Sequence, residues 1–173
     1  MRESDSQAAG VRPGHAYAAL THGRLYVLVP RGDLRTIEAA SDVDRSVPPE
    51  NGVGWIELDH QRLPVYCTGS DLHPIATIPA ARRICVVLRG DEGSFGLLCD
   101  EVALIAAGKT QVQDLPVAMT MPGAPVVGLA KYADSIACVC TAERLHAHLN
   151  RAPGANGLAP HAETSIQARE ERK

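Results

Sequence analysis

The sequence predicts an all-β domain of barrel or sandwich type, and three observations predict it. Short apolar runs recur with turn residues between them, which is strand punctuation rather than helix periodicity. Two of these runs, Ile84–Leu88 and Ile136–Cys140, are apolar at every position, so both faces of each strand must be covered. Helical spacing is clear in one place, after Thr141.

The elements follow in chain order. Ala16–Leu20 and Arg24–Val29 read as a hairpin around Thr21, His22 and Gly23, where the glycine supplies positive φ. Leu34–Ala40 has Leu34 and Ile37, and further on Val43, on one broad apolar side, which fits either a helix or a strand. Gly54–Leu58 and Arg62–Tyr66 form a second pair around Asp59, His60 and Gln61. Arg83–Leu88 and Ser94–Cys99 form a third, around Arg89–Gly93. Val126–Ala130 and Ser135–Cys140 form a fourth, around Lys131–Asp134. From Thr141 a short helix is expected, with Thr141 as N-cap, Glu143 favourable in the first turn, and Leu145 and Leu149 on one face. Pro153 and Gly154 stop it. Residues 1–14 and 150–173 are too polar to offset their ordering entropy and are expected to be a flexible and a disordered tail, leaving the domain at 15–149.

Composition narrows the function. Seventeen basic against twenty acidic residues leave no excess of positive charge to neutralise phosphates, which argues against nucleic acid. Aromatics are 3% of the chain and hydrophobic residues 45%, so the core must be aliphatic. No run approaches the roughly 18 apolar residues of a membrane span, and Met1–Gly10 lacks a signal-peptide core, so a cytoplasmic protein without membrane insertion is expected. Cys67, Cys85, Cys99, Cys138 and Cys140 are an odd number of thiols and read as reduced core residues.

The chemistry-bearing candidates each have a plain alternative. Cys138 and Cys140 share one strand face, but a metal clamp needs two more ligands, and none of matching spacing lies nearby. Cys85 and Cys99 are placed to face each other across a hairpin as reduced core residues. His146 and His148 lie about 200° apart on a helix, the wrong spacing for a metal pair, and are expected to be solvated. Asp100 and Glu101 point to opposite faces of a strand, so Asp100 is expected to make a structural turn hydrogen bond. Ser94, Ser135 and Thr141 lack a nucleophile-elbow context, and Gly52–Gly54 is no phosphate loop. No catalytic residue, metal or cofactor is expected. Trp55 is core or an interface anchor, and Met119–Pro125 a mobile loop able to serve as a docking surface.

Several segments, in order, resemble the CheW-like domain. Phe95–Val102 (Phe-Gly-Leu-Leu-Cys-Asp-Glu-Val) is similar to the family's strand ending in Gly-aliphatic-aliphatic-Val-Asp-x-Val. Val127–Leu129, Asp134 and Glu143–Leu145 resemble its closing hairpin and helix; Leu25–Pro30, Val43, Gly54 and Leu63–Val65 resemble its first half. The resemblance runs from about His15 to Leu149. It implies two packed SH3-like β-barrels with a short C-terminal helix, and a non-enzymatic signalling adaptor. Its implied partners are chemoreceptor-like proteins and a CheA-type histidine kinase of a two-component system, in chemotaxis or type IV pilus motility. The family's Asn-Leu-Arg-Gly turn stands here as Glu57, Leu58, Asp59 and His60, which reverses a charge, and Cys67 follows where the family has Asp-Leu-Arg. Glu57, Leu58, Asp59, His60 and Arg62 are the partner-binding candidates. The alternative is a β-barrel that binds a small ligand or senses redox state through its thiols.

Overall fold

The computed structural model describes residues 14–151. Strands run β1 (Tyr17–His22), β2 (Leu25–Pro30), β3 (Leu34–Ala39), β4 (Gly54–Leu58), β5 (Gln61–Cys67) and β6 (Ile84–Gly90). They continue with β7 (Gly93–Cys99), β8 (Glu101–Ile105), β9 (Val112–Asp114), β10 (Val126–Tyr132) and β11 (Ser135–Cys140), before helix α1 (Ala142–Arg151). One sheet has the order β8-β1-β2-β11-β10-β9, the other β3-β6-β7-β5-β4. The two ends of the domain thus build the first sheet and its middle builds the second.

Each sheet curls. In the second, a single turn of 3-10 helix at Ala40–Asp42 carries the chain from the β3 edge to the β4 edge. There Asp44 and Trp55 exchange backbone hydrogen bonds of 2.8 Å in both directions, closing a barrel. Each barrel contains one parallel pair, β2 with β11 and β5 with β7. The architecture is the expected pair of SH3-like barrels.

Alternation along the strands sorts side chains into three clusters. Tyr17, Ala19, Leu28, Ala137 and Val139 fill the first barrel; Val65, Cys67, Cys85, Val87 and Leu98 fill the second. Their neighbours in sequence (Ala18, Leu20, Val27, Val86, Leu88, Leu97 and Cys140) point the other way and meet between the barrels. The Ile84–Leu88 run of β6 is therefore apolar throughout because each of its faces is an interior face, whereas the like run on β11 is not covered on both sides: Ile136 is 70% exposed and Cys138 only half-buried. Gly96 lies where backbones crowd: a Cβ there would sit 2.8 Å from the Cys85 Sγ and 2.9 Å from a Val65 methyl.

The hairpins lie where turn residues placed them, with shifted ends. The β4–β5 turn has Asp59 and His60 at φ 50° and 61°, and the β10–β11 turn has Ala133 and Asp134 at 48° and 58°. Two positive-φ residues match the right-handed twist of the flanking strands. In the first hairpin, Thr21 and His22 belong to β1 rather than to the turn, which is Gly23 and Arg24. The reason is remote in sequence: the Thr21 carbonyl accepts the Asp100 N–H at 2.8 Å, which holds β1 extended. Leu34–Ala39 is a strand, paired with β6. β8 and β9, edge strands with mostly exposed side chains, had no clear apolar pattern to announce them.

Helix α1 extends through Asn150 and Arg151, which the sequence reading assigned to a tail. Thr141 caps it as expected, accepting the Arg144 N–H at 3.3 Å, and Asp33 accepts the Ala142 N–H at 2.9 Å. Leu145 and Leu149 are fully buried between the barrels. The tails expected at 1–14 and 150–173 otherwise lie almost entirely outside the described residues. Among those residues no helix is long and apolar enough to cross a membrane.

Candidate partner-binding surface

The candidate turn lies at the edge of the second barrel. Glu57 and Arg62 are directly opposite each other on β4 and β5, and Asp59 and His60 form the turn beyond them. All four are exposed; Leu58 is half-buried and packs against the second barrel's core. Arg62 has partners on two sides. Its Nη2 is 3.0 Å from Asp44 Oδ2, and its guanidinium carbon is 5.0 Å from the centre of the Trp55 ring. The Trp55 Nε1–H donates to the Val47 carbonyl at 2.7 Å. Hydrogen bonds from Ser46, and then the Arg62 charge, hold the Asp44 carboxyl below its usual range. Arg62 and Asp44 are both more than half exposed, so solvent screens their pair and it adds little stability. Its consequence is shape: tryptophan, guanidinium and carboxylate make a fixed polar and aromatic plate on one sheet edge.

Asp59 has a partner that local sequence does not reveal. Its Oδ2 is 2.5 Å from Nη2 of Arg35 on β3, and Arg35 Nη1 donates to Ser94 Oγ at 3.3 Å. β3 and β4 are opposite edges of the sheet, so this pair fastens the turn across the barrel seam. The Arg35 side chain is 22% exposed and that of Asp59 73%, so the positive charge is sheltered and the negative charge faces solvent.

A second polar cluster ties the barrels together. Asp100 stands where the chain leaves β7 of the second barrel for β8 of the first. As expected it makes a turn hydrogen bond, accepting the Gly23 N–H at 2.6 Å. It also accepts from Arg82 Nη1 at 2.5 Å, and Arg82 Nη2 donates to the Thr68 carbonyl at 3.2 Å. Thr68 Oγ1 lies 3.2 Å from His22 Nδ1. Arg82, Thr68 and His22 are buried. Sequence reasoning missed Arg82, because nothing near it in the chain marks an arginine as buried. The only signal was Asp100, a carboxylate closing an apolar strand.

Burial, then the Arg82 charge, lowers the His22 pKa to about 4, against an opposing pull from Asp100. A histidine that resists protonation when folded binds its proton more readily when unfolded. Its contribution is therefore complete above the unfolded value near 6.5 and is lost as pH falls toward 4. Urea titrations should show stability falling on the order of 3 kcal/mol over that interval from this group. His22→Gln should flatten the profile, and an unchanged slope would contradict the assignment.

The remaining candidates dissolve into packing. Cys85 faces Leu98 across the hairpin and points into the second barrel, whereas Cys99 faces Ile84 and points between the barrels, so they do not meet. Burial pushes both thiols up to about 12, and raises Cys67, Cys138 and Cys140 too. Thiols held protonated are slow nucleophiles, which weighs against redox sensing. Cys140→Ser should cost roughly 1–3 kcal/mol in urea unfolding, because it buries a hydroxyl in an apolar cluster. A loss under about 0.5 kcal/mol would place that side chain in water instead. His146 is not solvated: it is buried, stacked 4.5 Å from the Phe95 ring. Among the described residues, no three His, Cys, Asp or Glu side chains form a group able to hold a metal ion.

No protein-family model matches the chain, and no curated protein matches it. Among solved structures, the chain is similar to the crystal structure of the scaffolding protein TtCheW from Thermoanaerobacter tengcongensis. The TM-score is 0.56 at 16% identity, over 76% of this chain and 92% of that one. With two barrels, an inter-barrel core and a C-terminal helix laid across it, this chain has the CheW-like fold.

Proposed function

We propose that the chain is a non-enzymatic, cytoplasmic signalling adaptor that couples chemoreceptor-like proteins to a CheA-type histidine kinase. The observation that carries this reading is the architecture it shares with a scaffolding protein over nearly that protein's whole length. An adaptor needs rigid surfaces rather than a reactive centre. Buried Arg82 and Thr68, with Asp100, are engaged in joining the barrels, while the plate of Trp55, Arg62 and Asp44 lies at a sheet edge. Glu57, Asp59, His60 and Arg62 offer a mixed-charge contact beside that plate, backed by Leu58. The pathway is chemotaxis-like signalling, either flagellar or of type IV pili.

The test is reconstitution. The tagged full chain is mixed with the CheA-type kinase and the receptor signalling domain encoded in the same genome, then sized by gel filtration. Co-elution with the kinase, extended to the receptor when both are present, is expected. Failure to bind either at tens of micromolar would overturn the adaptor reading.

A further inference from the structure

Helix α1 lies over the seam between the barrels. Ala142, Leu145 and Leu149 are fully buried there with Val86, Leu88, Phe95, Tyr66 and Leu72. Two histidines complete the contact. The His146 ring stacks on Phe95 at 4.5 Å with 9° between planes, and meets Tyr66 edge-on at 6.1 Å. Its Nδ1 is buried with no hydrogen-bond partner. The His148 ring is 5.6 Å from that of His73, in the connection between β5 and β6, and its Nε2 is buried and likewise unpartnered. A proton added to either free nitrogen would be a donor with nothing to receive it. At His148 the added charge would also face a second imidazole.

We infer that α1 is an acid-released latch: protonation of His146 and His148 lifts the helix from the seam and uncovers the apolar surface of Phe95, Tyr66, Leu72, Val86 and Leu88. The groups around each ring set the sign. Burial lowers the His146 pKa, against an opposing pull from Glu92 on the β6–β7 turn. Burial, then His73, lowers that of His148, and the Leu72 carbonyl and Asp71 only partly offset this. Released from the seam, both rings regain ordinary values near 6.5. Docking is therefore favoured fully above that value and weakens as pH falls below it, by at most tenfold per pKa unit at each ring. Asp33, at the start of the helix, is pushed up by burial, so its own titration opposes release. Glu143, Arg144 and Arg151 are exposed on the outer side of the helix.

Hydrogen exchange of the full chain at pH 7.5 and 5.5, corrected for intrinsic rates, tests this. Unfolding of the whole chain also frees His146 and His148, so residues 84–90 respond to these titrations together with that of His22, and His22→Gln is the background for the comparison. The latch predicts that residues 142–151 are less protected than residues 84–90 at pH 5.5, through an opening that leaves β6 closed, and that their protection falls between pH 7.5 and 5.5. His146→Phe with His148→Gln keeps a stacked ring and removes both titrations, and should abolish that fall in α1. Should the phenylalanine not fit, His148→Gln with His73→Gln should still reduce it. Protection of α1 equal to that of β6 at pH 5.5 overturns the latch, as does a fall that survives in every variant.

Discussion

Arg82→Met should destabilise the protein by about 3–5 kcal/mol, the cost of breaking a buried ion pair from one side. The substitution keeps most of the aliphatic stem and removes the charge. Asp100, its carboxylate side chain only 16% exposed, would then have lost the cation beside it, and the Thr68 carbonyl a donor. A domain stable by 5–15 kcal/mol would lose a large share of its margin, so the effect is legible in urea. Arg82→Met with Asp100→Asn should cost less than the sum of the two single changes, by about 0.5–3 kcal/mol. Asparagine still accepts the Gly23 N–H without stranding a charge. Desolvation raises the Asp100 pKa, but the Gly23 amide and Arg82 outweigh it and leave the carboxyl below its usual value. A carboxylate so depressed contributes stability above the unfolded value near 3.9, lost as pH falls through its lower folded value. Arg82→Met should therefore also blunt the acid limb of the stability profile. A loss below about 1 kcal/mol would mean that the barrels are held by their apolar seam alone.

That tie marks where the sequence stops being informative. Hairpins are local: Gly23, Asp59-His60 and Ala133-Asp134 carry their turn conformations within two residues, so all four sequence hairpins stand. The two-sided pattern is nearly local for β6, where the Ile84–Leu88 run demands cover on both faces, but it misleads for β11, whose Ile136 is 70% exposed. Residue roles set by distant partners are not local. His146 has a polar name and helix-end spacing, yet Phe95, 51 positions earlier, decides that it is buried, and no periodicity contains that pairing. Arg82 and Asp100 are 18 apart, and Arg35 and Asp59 are 24 apart across a closing seam. β8 and β9 failed to register for the opposite reason: an edge strand buries little, so little apolar pattern is required of it.

The pairing of Arg35 with Asp59 decides how the candidate surface should be tested. Asp59→Arg alone would set two guanidinium groups against each other. Cys67→Asp, needed to restore the family's following acid, would bury a carboxylate at a position with no solvent exposure. Its loss of binding would report unfolding. Exchanging the partners, Arg35→Asp with Asp59→Arg, keeps the pair and turns the exposed end of the turn positive. Stability should change by less than about 1 kcal/mol, since the pair is partly solvated at one end. Binding should change far more. If the native partner meets Asp59 with positive charge, the exchange places like charges together and weakens binding roughly 10- to 100-fold, about 1.4–2.8 kcal/mol. A chemotaxis kinase or receptor whose own surface suits the family's arginine should bind the exchanged chain more tightly than the original. Calorimetric titration of both chains against both partners separates the outcomes. Unchanged affinity for both, with the fold intact, would remove Asp59 from the interface. The reversed charge would then act only within the molecule, fastening the β4–β5 turn to β3, and partner contacts would have to run through the first barrel.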